Sequence, residues 1–203
     1  VIPARGGSKR IYKKNIKLFC GKSIIIYSIE KAISSGLFEK VIVSTDDKEI
    51  AKISVEHGAE VPFLRSKELS DDYSNTHEVV GNAIQYLTQK GLEIDYVCCI
   101  YATAPLIMKK DIKKGLELIK KNKWDVVFAA TEFSYPIFRS FKLNKDNGLE
   151  MFFPEYYFSR SQDLPIAFHD AGQFYWGRSN YWTSPQKEYN NNNSVVLLPN
   201  WRV

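Results

Sequence analysis

The chain has 203 residues, 44% of them hydrophobic and 14% aromatic, which is enough for one sizeable buried core. Nothing approaches the run of about 18 apolar residues that a membrane-spanning helix needs. The net charge of +5 is local: the first 29 residues hold seven basic side chains and no acid, whereas residues 30–203 carry 21 basic against 23 acidic side chains. A nucleic-acid binder spreads its charge along a face, so this concentration points to a pocket for a compact polyanion and against a nucleic-acid or membrane partner.

Val1-Ile2 reads as a strand end feeding the loop Pro3-Ala4-Arg5-Gly6-Gly7-Ser8-Lys9-Arg10. There Gly6 and Gly7 allow positive φ and let backbone N–H groups approach phosphate oxygens, while Lys9 and Lys14 add mobile charge. Ser23 is placed to cap a helix through Ser34 that Gly36 closes. Residues 41–46 read as a strand ending at Asp46 and Asp47, followed by a helix over 48–57 that stops at Gly58. Residues 60–64 suggest an edge strand, since Pro62 lacks a ladder donor.

Val79, Val80, Ala83, Ile84 and Leu87 recur at helical spacing from Thr76 to Lys90. Residues 96–101 form an apolar run expected to be a central strand buried on both faces. A helix over 111–122, with Ile112, Leu116 and Ile119 inward, and a strand over 125–131 follow. Beyond 131 aromatic residues crowd, Phe174-Tyr175-Trp176 looks strand-like, and Asn190 to Asn193 read as an exposed loop. The chain starts inside a strand and stops on an apolar stretch, so both ends read as cut.

The alternation predicts an α/β fold, a mostly parallel Rossmann-like sheet flanked by helices. One domain is expected over 1–203, with 1–131 as nucleotide-binding half and 132–203 as a segment that completes the acceptor side, with room for a dimerisation arm. Cys20, Cys98 and Cys99 lack metal-ligand spacing, and the adjacent pair cannot easily bridge. They read as small core groups of a reduced, cytoplasmic protein. Gly21-Lys22-Ser23 is not a Walker loop, because Ile16 stands where its first glycine belongs. No G-x-G-x-x-G follows a strand, and His57, His77 and His169 are too scattered for a zinc site.

The opening loop, with Lys13-Lys14-Asn15 after it, resembles the signature of the acylneuraminate cytidylyltransferases. The likeness continues through Val43-Ser44-Thr45-Asp46, Leu64-Arg65, Leu69-Ser70-Asp71-Asp72 and Tyr101-Ala102-Thr103-Ala104-Pro105-Leu106, and so spans essentially the whole chain. Residues 159–165 and 169–177 are most similar to the branch that activates pseudaminic acid. The resemblance implies a nucleotide-diphospho-sugar transferase fold. It implies that Arg5, Lys9 and Lys14 hold the triphosphate and act in catalysis. Ala4, Gly6, Gly7, Ser8, Arg10, Asn15, Arg65 and Thr76 would complete the nucleotide site, although Tyr73-Ser74-Asn75 departs from the small residues of the sialic acid enzymes.

Tyr101, Arg160, His169, Asp170 and Gln173 are the implied sugar contacts. Tyr101 replaces a common glutamine and His169-Asp170 an Arg-Pro, which favours a nonulosonic acid other than N-acetylneuraminate. The implied reaction is attack of a nine-carbon sugar acid on CTP with Mg²⁺ as cofactor, in a homodimer. Within residues 1–203 no metal ligand is assigned, the family's Asp-x-Asp pair being expected just after Val203. Competing readings stay open: Asp46 as a helix cap, Arg65 in a surface pair with Glu68, His169-Asp170 as a turn, and the aromatic cluster 152–158 as core or dimer interface. Other substrates left open are N-acetylneuraminate and ketodeoxyoctonate, and a non-catalytic binder of polyphosphate or RNA is the reading from another class.

Overall fold

The computed structural model describes residues 1–71, 74–185 and 192–203. In chain order its elements are β1 (Ile2–Pro3), the hairpin β2 (Leu18–Phe19) and β3 (Lys22–Ser23), α1 (Ile24–Ser35), β4 (Val43–Ser44), α2 (Lys48–Glu56), α3 (Thr76–Gln89) and β5 (Tyr96–Ile100). Then come α4 (Lys109–Lys121), β6 (Val126–Glu132), the hairpin β7 (Phe141–Leu143) and β8 (Leu149–Met151), β9 (Phe168–Arg178), α5 (Ser179–Thr183) and β10 (Asn193–Leu198).

β1 lies parallel to β4, and the Ile100 N–H donates to the Val1 carbonyl, which sets β1 beside β5. Glu60 and Leu64 bridge the far side of β4 singly, so the expected edge strand is reduced to two isolated contacts. On the other side the order runs β5, β9, β6, β10. β10 is parallel to β6, whereas β9 is antiparallel to both of its neighbours. The α/β architecture is therefore the expected one, with a single reversed strand in the middle of the long sheet.

β5 is buried on both faces, as its unbroken apolar run requires. Cys98 and Ile100 join the core that α1 and α4 cover, while Val97 and Cys99 join Val80, Ile84 and Trp182 beneath α3 and α5. Successive strand residues point to opposite faces, which is why the adjacent cysteines cannot meet. Both are buried free thiols, and burial pushes the Cys99 thiol up to about 12. Cys20 departs from expectation: it is exposed in the β2–β3 turn at φ 46°.

β9 is held in place by packing. The Phe174 and Trp176 side chains are almost fully buried against α4, and the Trp176 indole donates to the Ile112 carbonyl at 2.9 Å. A Cβ on Gly115 would stand 2.6 Å from Trp176 Cδ1, so the absent side chain there lets helix and strand approach.

Helix starts differ in detail from expectation. Ser23 occupies the N-cap position of α1 without a side-chain capping bond. Asp47, not Asp46, caps α2, accepting from the Glu49 and Ile50 N–H groups. Asn75 and Glu78 form a reciprocal capping box on α3.

The C-terminal strand is tied down by a buried ion pair: Arg202 donates to the Asp111 carboxylate at the start of α4, with 4% and 7% of the two residues exposed. The Gln173 amide donates to the Arg202 carbonyl at 2.6 Å. Of the asparagine tract, Asn190 and Asn191 lie outside the described residues, and Asn193 already belongs to β10 rather than to a loop.

Candidate active site

The parallel strands β1, β4 and β5 end on one side of the sheet, and the loops that follow them open there. Such crevices at the carboxyl ends of strands are where open α/β sheets bind ligands. A cleft of about 740 Å³ lies at this edge. Its walls include Arg5, Ser8, Lys9, Arg10, Lys14 and Asn15 from the first loop. Arg65 and Asp71 follow β4, Thr76 opens α3, and Tyr101 and Thr103 follow β5.

Not all the N-terminal charge faces this space. Lys13, in the left-handed region at φ 47°, turns outward to pair with Glu49, which raises its pKa through the hydrogen bond and the adjacent carboxylate. Lys22 pairs with Glu30. The cleft keeps Arg5, Lys9, Arg10 and Lys14. Arg5 also donates to the Asp71 carbonyl at 2.5 Å, linking the glycine loop to the opposite wall. Asp72 and Tyr73 lie outside the described residues.

The glycines act otherwise than expected. Neither Gly6 nor Gly7 is among the residues at positive φ. Gly6 donates its N–H to Asp46 Oδ1 at 2.9 Å, so that donor serves the loop's own geometry. A Cβ on Gly6 would lie 2.6 Å from Asp47 Oδ2, and close approach to the α2 cap is what excludes a side chain. At Gly7 a Cβ would meet nothing within 4 Å. Ala4 is 1% exposed and sits in the core beneath the loop, its N–H donating to the Ser44 carbonyl.

Asn15 and Arg65, the expected cytidine contacts, line the cleft and are each 6% exposed. The Asn15 amide donates to the Arg5 carbonyl at 2.8 Å and so braces the loop. Arg65 is 6% exposed, donates to Ser70 Oγ at 3.1 Å and stands 3.9 Å from Asp46, so its carboxylate neighbour is Asp46 rather than Glu68. Burial lowers its pKa from the ordinary arginine value, Asp46 opposes that shift, and Arg5 adds to it. Two loops are thereby pinned to the end of β4, one through Gly6 and one through Arg65.

The expected sugar contacts are divided. Tyr101 lines the cleft, while the other four residues do not. Arg160 is exposed and forms a two-pronged ion pair with Asp163 at 2.6 and 3.2 Å. His169 packs against Phe133 on the outer part of β9. Gln173 is 4% exposed, its side-chain carbonyl has no hydrogen-bond partner, and its amide is committed to Arg202.

Asp170 accepts from the Gly172 N–H at 2.7 Å and from the Tyr175 hydroxyl at 2.6 Å. Gly172, at φ 61°, marks the stretch where the β6–β9 register shifts, and the kink re-aims the strand there. Tyr175, which no sequence signal singled out, lies 5.1 Å from the Tyr101 ring and so connects Asp170 to the cleft.

Among the described residues no group of three or more His, Cys, Asp or Glu side chains could hold a metal ion. No magnesium ligand is assigned among the described residues, and no step is derived through the metal. No helix is long and apolar enough to cross a membrane.

The cleft thus offers four cations, a braced loop and a helix N-terminus to a polyanion. A family model described as cytidylyltransferase matches residues 1–195. The pseudaminic acid cytidylyltransferase of Campylobacter jejuni is 50% identical over 98% of this chain and 86% of its own. The CMP-N,N'-diacetyllegionaminic acid synthase of Legionella pneumophila is 38% identical over 63% of this chain and 55% of its own. In fold, the chain resembles a CMP:2-keto-3-deoxy-manno-octonic acid synthetase complexed with CTP, with a TM-score of 0.71, 16% identity and coverage of 98% and 88% of the two chains.

Proposed function

The chain belongs to the cytidylyltransferase family, and from that membership we propose that it joins CTP to a nonulosonic acid, pseudaminic acid first, giving the CMP-sugar and pyrophosphate. The observation that carries the reading is the convergence of Arg5, Lys9, Arg10 and Lys14 on one cleft at the carboxyl ends of the parallel strands. The anomeric hydroxyl of the sugar acid attacks the α-phosphorus, and negative charge grows on the phosphate oxygens as pyrophosphate departs. Fixed cations aimed at those oxygens stabilise that state more than the bound substrate. Magnesium enters this proposal only as the counter-ion of CTP, since Mg²⁺ binds readily through phosphate oxygens.

The substrate assignment rests on 50% identity across nearly the whole chain to the Campylobacter jejuni enzyme. In this proposal residues 1–131 hold the nucleotide and 132–203 complete the acceptor side, where Tyr101 and Asp170 meet the sugar. The expected result is pyrophosphate release with CTP and pseudaminic acid well above that with ATP, GTP or UTP, and above that with legionaminic acid, N-acetylneuraminate or ketodeoxyoctonate. Turnover with another pair at equal rate would overturn the substrate choice. RNA binding with a steep salt dependence and no turnover would overturn the enzyme reading.

The segment carrying β7 and β8 stands away from both cores, and Phe141, Leu149, Phe152, Tyr157 and Phe158 on it are 56–93% exposed. A cluster of that kind, rather than a buried shelf for ligand, fits an interface between two copies of the chain. A homodimer is accordingly part of the proposal. Light scattering should give twice the monomer mass, and Phe158→Asp should shift it toward the monomer. A monomeric wild type at assay concentrations would overturn it.

A further inference from the structure

We infer that Asp46 is a positioning residue, which holds the two walls of the cleft at a fixed spacing so that the glycine loop and Arg65 meet one CTP molecule together. The inference rests on the cytidylyl transfer proposed above and concerns what keeps that site in shape. It starts from topology. β4 lies between β1 and the segment 60–64, so its carboxyl end stands between the loop after β1 and the loop that carries Arg65. Backbone bonds hang each loop there: the Ala4 N–H donates to the Ser44 carbonyl at 2.9 Å, and the Arg65 N–H to the Thr45 carbonyl at 2.8 Å. Asp46 is the next residue, and one of its atoms reaches both sides. Its Oδ1 accepts from the Gly6 N–H at 2.9 Å and stands 3.9 Å from Arg65 Nη2.

The two loops also meet farther along. Arg65 Nε donates to Ser70 Oγ at 3.1 Å, and Arg5 donates to the carbonyl of Asp71, the next residue in the chain. The contacts close a ring that runs from Gly6 through Asp46, Arg65, Ser70 and Asp71 to Arg5, the neighbour of Gly6. Arg5 and Arg65 both line the cleft, so the ring sets the distance between a cation of one wall and a cation of the other.

The charge on Asp46 has a reason of its own. A carboxylate beside the basic loop repels an incoming polyanion, and a neutral Asn would serve the Gly6 N–H as well. Arg65 is what requires the charge, because its side chain is 3% exposed and a guanidinium buried without a counter-charge is costly. Asp46 itself is 28% exposed in its side chain, and both loops keep their backbone bonds when it is replaced. Its loss should therefore release the aim of Arg65 and of the glycine loop while the fold stands.

Calorimetric titration of the full chain with CTP, in the absence of sugar acid, tests the inference. Asp46→Asn should weaken CTP binding by about 10-fold or more, the usual worth of a hydrogen bond to a charged group, and Asp46→Ala at least as much. KM for the sugar acid should not change. Asp46 acts through Arg65, so Asp46→Asn combined with Arg65→Met should bind CTP no more weakly than Arg65→Met alone. Asp47→Ala, which removes the cap of α2 and leaves the partner of Arg65 in place, should lower the denaturation midpoint and leave CTP affinity unchanged. Wild-type affinity in Asp46→Asn, a loss that adds in full to that of Arg65→Met, or an equal loss in Asp47→Ala overturns the positioning role and leaves the transfer reaction intact. A wild type that does not bind CTP overturns both.

Discussion

Lys9→Ala and Arg5→Ala should each lower kcat for CMP-sugar formation by about 10²–10³-fold, the cost of removing one pre-aimed donor from a developing phosphate charge. Both residues line the cleft, and Lys9 lies on the exposed crest of the loop, where its side chain contributes nothing to the core. The denaturation midpoint should therefore stay at the wild-type value. Arg5 bridges the glycine loop to the Asp71 carbonyl, so its loss should also loosen the wall formed by residues 65–76 and raise KM for CTP. Lys13→Ala is the contrasting case: Lys13 is turned away to Glu49, and its loss should leave kcat alone. Pyrophosphate release at saturating CTP checks the set. A Lys9 variant with raised KM and full kcat would mean that the ammonium binds substrate and transition state equally.

Arg202→Met should destabilise the protein by about 3–5 kcal/mol, because it leaves the Asp111 carboxylate buried without its partner. Both side chains are less than a tenth exposed, so water cannot replace the lost charge. Replacing both, Asp111→Leu with Arg202→Met, removes the buried charges together and should recover most of the loss. Denaturant unfolding of the two single variants and the double variant gives the coupling directly. Single variants within about 1 kcal/mol of wild type would place the pair in the range of a surface ion pair. The same pair brings the end of the chain against α4, and Gln173 through its amide follows it.

Much of this molecule is legible in local sequence because its elements are locally consistent. The run at 96–101 is too apolar for one face and too short for a helix, so a strand buried on both sides was the reading that burial confirmed. The i, i+3, i+4 pattern from Val79 to Leu87 gives α3 to within a residue. The place of β9 was not legible. Its pairing with β5 and β6 reverses direction between strands far apart in sequence, and nothing in Phe174-Tyr175-Trp176 states which neighbours it takes.

The site divides the same way. Clustered basic residues around two glycines marked the loop, yet which cations face inward depends on Glu49 and Glu30, acids that approach only in the fold. The need for Gly6 comes from Asp47, forty-one positions on, and not from a left-handed backbone. Asp46 and Asp47 carry the same chemistry side by side, and only the fold separates the cap from the partner of Gly6. The Asp111–Arg202 pair left no mark at all, since it forms only where the end of the chain meets the start of α4.

The grip of the first loop on a triphosphate is tested most directly by a crystal structure of this chain with CTP bound. The expected map places the phosphates within hydrogen-bonding distance of Arg5, Lys9 and Lys14 at the carboxyl ends of β1 and β5. Phosphates bound elsewhere, with Lys9 and Lys14 directed into solvent, would contradict it.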